Sequence, residues 1–187
     1  MPRARQAWLS VLCTTGNSMC YYDPSVRFSD ISDLKLQYDS DYYKFVGVAD
    51  TAMSFFLPWI IENIAPRILI IDRDPVDIEA LNRKVGNICS NLPVLAHEEL
   101  VKFKTHPLVM WVPYEALSHK RVIQRIFWHL MPGEAFDEVR YEELSRLHIG
   151  IDLKDQAAAV LKRKTQLQQL FRHILPKMET EDHALLH

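Results

Sequence analysis

The chain has 187 residues, 48% hydrophobic and 25% charged, enough apolar material for one globular core. The formal net charge of -2 gives no reason to expect nucleic acid or an anionic membrane as the main partner. A local group of arginines can still bind a small anion on a near-neutral protein.

Three cysteines, Cys13, Cys20 and Cys89, form no C-x-x-C pair. That argues against a disulfide framework or a zinc site and for a reducing, cytoplasmic setting. His183 and His187 have H-x-x-x-H spacing beside Glu181 and Asp182. They lie in a tail that reads as loose, so no metal is expected there. Near the N-terminus two arginines precede the short apolar stretch Ala7 to Cys13. It is not expected to be a signal peptide, because Ser10 interrupts it and no small-residue cleavage site follows. Leu12 before Cys13 also suits lipid attachment poorly. No stretch approaches the roughly 20 apolar residues that span a bilayer, so no membrane partner is expected.

In chain order, residues 8–14 predict a short helix after a loop. Residues 17–41 are polar and turn-rich, with a short helix expected over 31–36. Tyr43 to Val48 predicts a strand. Asp50 then caps a helix with Ala52, Phe55, Phe56, Trp59, Ile60 and Ile64 on one face. Pro58 should kink that helix or move its start later. Arg67 to Asp72 is the clearest buried strand, a run of branched apolar residues. Asp74-Pro75 supplies an N-cap and a first-turn proline for a helix with the stripe Ile78, Leu81, Val85 and Ile88. Leu108 to Val112 is another strand. Ser118 is a candidate cap for a helix carrying Val122, Ile123, Ile126, Phe127 and Leu130, which Met131-Pro132-Gly133 ends. Asp137 starts another short helix. A longer helix is expected over 155–175, stopped by Pro176 and followed by a loose tail. Strands alternating with helices imply an α/β fold, with a mostly parallel sheet covered on both faces. Ligands of such sheets sit beyond the carboxyl ends of the strands.

Three segments there could carry chemistry. Pro2-Arg3-Ala4-Arg5-Gln6-Ala7-Trp8 enters a helix, where backbone N–H groups and guanidiniums suit phosphate or sulfate. Its plainer reading is two solvated terminal arginines. Arg73 follows the best strand; its plainer reading is an ion pair with Asp72, Asp74 or Asp77. Asp50 follows the Tyr43 strand as a general-base candidate, or as a simple helix cap.

In this order the three segments resemble the sulfotransferase family, whose members begin strand–P-K-S-G-T-T-W–helix. The match is closer to the P-R-S-R-T-A-W variant of small bacterial and phage sulfotransferase-like proteins, through Pro2, Arg3, Arg5, Ala7 and Trp8. Arg73-Asp74-Pro75 resembles the family's later R-N-P. The run from Phe136-Asp137 through Arg140-Tyr141-Glu142-Glu143-Leu144 to Ile149 resembles the small-family ending. The resemblance implies a P-loop sulfotransferase-like three-layer sandwich over residues 1–152. A C-terminal helix and tail, 153–187, would pack on it. It implies 3′-phosphoadenosine 5′-phosphosulfate (PAPS) as cofactor. Residues 3–8 (Arg3, Ala4, Arg5, Gln6, Ala7 and Trp8) would hold the 5′-phosphosulfate, Arg73 the 3′-phosphate, and Asp50 would take the acceptor proton. The activity implied is sulfuryl transfer to a hydroxyl or amine on an unknown small acceptor.

The departures are specific. Ala4 and Gln6 replace the loop serine and threonine, and Leu81 replaces a serine that would contact the 3′-phosphate. Lys104-Thr105-His106-Pro107-Leu108 resembles a family segment only superficially, and in the wrong order. The family's first strand, at the centre of the sheet, has no counterpart before Pro2. The Tyr43 and Arg67 strands are therefore expected to lack a central hydrogen-bonding neighbour, unless the reading frame begins further upstream or another strand or chain fills the gap. These departures support an alternative, a non-catalytic binding or assembly module of the phage-encoded kind. Homo-oligomerisation stays open.

Overall fold

The structure is a computed structural model that describes residues 2–84 and 92–147, with the side chains of residues 2–5, 26, 81–84 and 92–93 outside that description. Helix α1 (Pro2–Leu12) leads into strand β1 (Ser18–Tyr22) and helix α2 (Ser32–Ser40). Strand β2 (Phe45–Ala49), a 3-10 turn (Thr51–Phe56) and helix α3 (Leu57–Asn63) follow. Next come β3 (Ile68–Asp72), α4 (Pro75–Lys84), α5 (Leu92–Val101) and β4 (Val109–Pro113). Helices α6 (Lys120–Leu130) and α7 (Glu138–Arg146) complete the described part. The expected 155–175 helix and the tail lie outside it.

The strands form two small parallel sheets rather than one central sheet. β1 pairs with β2 from Ser18↔Phe45 to Tyr22↔Ala49. β3 pairs with β4 from Ile68↔Val109 to Asp72↔Pro113. Among the described residues, neither β2 nor β3 has a second strand neighbour. The Arg67 strand was expected to be deeply buried, yet only Ile70 is; its other residues and all of β2 are half-exposed. An open edge accounts for this, because a parallel strand is normally covered by neighbours on both sides.

Local chemistry sets the boundaries. Pro58 does move the helix start: residues 51–56 form a 3-10 turn and α3 begins at Leu57, with the proline in its first turn. α3 ends with Ala65 at φ 51°, a left-handed position that normally favours glycine, and Pro66 blocks continuation. Asp137 caps α7 by accepting from the Arg140 N–H. Ser118 does not cap α6. It lies in a preceding 3-10 turn, where its hydroxyl donates to Glu115 O, and His119 takes the cap position. Pro2 to Trp8 is helical throughout, where a loop was expected. Its Ala, Arg and Gln residues are good helix formers, and no glycine interrupts them.

α1 packs against β1 and β2 and is connected to β1 by residues 13–17. It therefore runs back along the strands, and its N-terminus lies at their carboxyl end. Trp8, Leu9, Leu12 and Cys13 meet Ile123, Ile126 and Phe127 of α6 and Leu144 of α7 in one buried cluster. Phe45 from the first sheet and Leu69, Ile71 and Met110 from the second pack on that cluster. A second cluster of Leu34, Ala52, Met53, Phe56 and Ile60 meets Val48.

Trp8 is 5% exposed. Its indole N–H donates to Leu144 O at 2.9 Å, and its ring meets Tyr141 edge-on at 5.9 Å. Arg140 closes the other end of α1, its Nη2 donating to Val11 O at 2.7 Å and Thr14 O at 2.6 Å. Truncating Trp8 should therefore be severe. Trp8→Ala is expected to lower stability in urea by about 3–5 kcal/mol. Trp8→Phe, which drops the indole N–H and leaves the Leu144 carbonyl with the Leu147 N–H alone, should cost about 0.5–1.5 kcal/mol. A neutral Trp8→Phe would contradict the indole bond.

Candidate anion-binding site

Arg73 directly follows β3, at the carboxyl end of a parallel strand. Its side chain is 16% exposed, and its guanidinium lies over the Tyr114 ring, 4.4 Å from the centroid. Nε and Nη1 are buried and have no hydrogen-bond partner. The three carboxylates that could have paired with it are placed otherwise. Asp74 Oδ1 accepts from the Val76 N–H at 2.8 Å, capping α4. Asp72 accepts from the Trp111 indole N–H at 2.8 Å. Asp77 comes closest, but its Oδ2 is 3.9 Å from Arg73 Nε, an ion pair too long for a hydrogen bond, and its side chain is 63% exposed. Arg73 is thus a largely buried cation with unmet donors, beside the positive end of α4.

Asp50 is extended (φ -147°) at the end of β2. Its Oδ1 accepts from the Ala52 N–H at 2.8 Å, and its Oδ2 from the Ser25 N–H at 3.0 Å. It caps the 51–56 turn and ties the 24–27 turn to it.

The N-terminal segment divides. Arg3, Ala4 and Arg5 lie in the first turns of α1, and Gln6 is half-buried. Ala7 and Trp8 are buried on the core side of the helix. No cradle of successive loop amides is formed, because the segment is already helix. α1 packs on the β1–β2 sheet, whereas Arg73 belongs to the β3–β4 sheet. α5 joins the carboxyl ends of β2 and β3, packing on the 51–56 turn after β2 while His97 Nδ1 comes within 3.6 Å of Asp72 Oδ1 at the end of β3. The sequence expectations contain neither α5 nor His97.

Other chemistry is limited. Burial pushes the Cys13 thiol up to about 12, with Cys20 adding to the shift and Arg140 opposing it, and burial likewise raises Cys20 to about 12. Neutral thiols of this kind are poor nucleophiles. Cys89, His183 and His187 lie outside the described residues. Among the described residues no group of three or more His, Cys, Asp or Glu is placed to hold a metal ion, and no helix is long and apolar enough to cross a membrane.

Comparison of the chain with protein-family models, with curated proteins and with solved structures finds no match.

The capping geometry of Asp50 has a measurable consequence. Asp50→Ala should lower stability by about 1–2 kcal/mol in chemical denaturation, through the loss of two backbone contacts. Asp50→Asn keeps one acceptor oxygen and should recover part of that. Unchanged stability in Asp50→Ala would show that the two bonds do not anchor the turns.

Proposed function

We propose that the chain is an anion-binding α/β domain of sulfotransferase type, which takes PAPS and transfers its sulfuryl group to a hydroxyl or amine. The observation that carries this reading is Arg73, with Nε and Nη1 buried and unpaired at the carboxyl end of β3. An unsatisfied buried guanidinium is costly, and a phosphate or sulfate accepting from both nitrogens removes that cost. Stacking on Tyr114 fixes the plane of the fork, so the anion would meet it in one orientation. In this reading Arg73 holds the 3′-phosphate. The first-turn amides of α1, with Arg3 and Arg5, hold the 5′-phosphosulfate, and Asp50 receives the acceptor proton. Transfer would rest on in-line positioning and charge stabilisation.

A second reading is a nucleotide-binding or assembly module without catalysis. It is favoured by the helical Pro2–Trp8 segment, which leaves no loop of amides around a sulfonate, and by the capping duty of Asp50.

Calorimetric titration with 3′-phosphoadenosine 5′-phosphate tests the site. The native chain should bind, and Arg73→Ala should lose about tenfold to hundredfold in affinity. Arg73→Lys should recover little, since a point charge cannot replace the fork. Binding that is absent, or indifferent to Arg73, would overturn the assignment. Binding without sulfuryl transfer would select the second reading.

A further inference from the structure

The outward face of α6 carries a stripe of side chains that the packing leaves unused. Ile123, Ile126 and Phe127 are buried on one side of this helix. Arg121, Arg125 and Trp128, at i, i+4 and i+7, share the opposite side, and all three are exposed. Trp128 is 47% exposed, with one edge against Phe136 at a centroid distance of 6.5 Å. Neither arginine makes a hydrogen bond or an ion pair among the described residues. The cation beside them is used: Lys120 pairs with Glu138 and, at 3.0 Å, with Glu142. Gln124 donates to Glu138 Oε1 at 2.8 Å. These contacts seal α6 against α7 and leave two guanidiniums and an indole facing outward. Tryptophan and arginine together are the side chains that interaction surfaces favour.

The chain itself supplies a complementary segment. Residues 178–187, outside the described part, carry Glu179, Glu181 and Asp182, then Leu185 and Leu186, with no lysine or arginine. The stretch 154–177 before them has the opposite sign, six lysines and arginines against Asp155 alone, and would be repelled by the stripe. Order and spacing also agree. Along α6, cations at 121 and 125 precede an indole at 128; along the tail, carboxylates at 179 and 182 precede a leucine at 186. Thirty residues separate Leu147, which follows α7, from Met178. The helix expected over 155–175 would span about 31 Å, and extended residues on either side of it add about 3.3 Å each. That length can bring the tail back to α6, the neighbour of α7. We propose that residues 178–187 dock along the outward face of α6 in their own chain. The carboxylates meet Arg121 and Arg125, and the leucines cover Trp128. Glu138 and Glu142, at the seam with α7, confine an acidic tail to the α6 side. Nothing in this depends on the sulfuryl-transfer reading.

Photo-crosslinking in the full chain tests the contact. Benzoylphenylalanine in place of Leu185 should crosslink, within one chain, to the tryptic fragment that contains Trp128, as mass spectrometry reads it. The yield should be the same at low and high protein concentration. Reversing the stripe with Arg121→Glu and Arg125→Glu should lower the yield about fivefold or more, because two attractions become repulsions. Both positions are exposed, so the fold should survive the change. Adding Glu179→Lys, Glu181→Lys and Asp182→Lys to that variant should restore the yield, which loss of folding could not imitate. Absence of the crosslink, a yield indifferent to the two arginines, or no recovery in the combined variant would each overturn the proposal. A crosslink that forms between chains and grows with concentration would place a second copy on α6 and overturn it equally.

Discussion

The two strand pairs share no ladder hydrogen bonds among the described residues, so side-chain packing has to join them. That duty falls on the cluster around Trp8, Leu12, Ile126 and Phe127, which Phe45 enters from one sheet and Leu69 and Ile71 from the other. A continuous parallel sheet would hold its strands by backbone bonds at fixed spacing. Here a helix core does that work, and α1 lies at its centre, pinned by the Leu144 carbonyl at Trp8 and by Arg140 at its carboxyl end. The tie is strengthened at the amino ends of the strands. Lys44, before β2, pairs with Glu134 at 2.7 Å, and Arg67, before β3, donates to His129 O at 3.1 Å. Both partners flank the end of α6.

The same arrangement concentrates polar groups at the opposite, carboxyl end. β2 ends at Asp50, and β3 ends at Asp72 followed by Arg73. The carboxylates are spent on fixing backbone and side chains, while Arg73 keeps two buried donors unused. Burying an unpaired donor costs about 1–3 kcal/mol, more when it is charged. A ligand anion that satisfies it recovers that energy, which is why a defect of folding reads as a feature of binding. Tyr114 and the α4 terminus determine where such an anion would lie.

Much of this was legible in the sequence. The apolar runs of β2, β3 and β4, the effect of Pro58, the Asp74-Pro75 start and the Asp137 cap all follow from local chemistry, which tertiary contacts did not override. Three things did not follow. β1 is short and begins with Ser18 in a polar stretch, so it carries no clear alternation; its partner β2 makes it a strand. α5 opens with Leu-Pro and is apolar almost all round in its first half, which hides the helical period. The stretch before Trp8 was expected to be a loop leading into the helix, although its residues favour helix and α1 already begins at Pro2. Trp8 itself, expected at the cofactor, is a core residue. Arg73 was found by position, as a cation directly after a buried-type strand, but its unpaired state needed the placement of Asp72, Asp74 and Asp77.

The separation of the two sheets is open to direct measurement by native-state hydrogen exchange. The Phe45 N–H bonds Asn17 O and the Ile68 N–H bonds Leu108 O, so by alternation Gly47 and Ile70 also donate inward, to β1 and β4. Val46 and Val48, and Leu69 and Ile71, then direct their N–H groups to the open edges. The account predicts slow exchange at Gly47 and Ile70 and exchange faster by orders of magnitude at Val46, Val48, Leu69 and Ile71. Uniformly slow exchange at all six would mean that β2 and β3 are paired on both sides, and would contradict two sheets joined through a helical core.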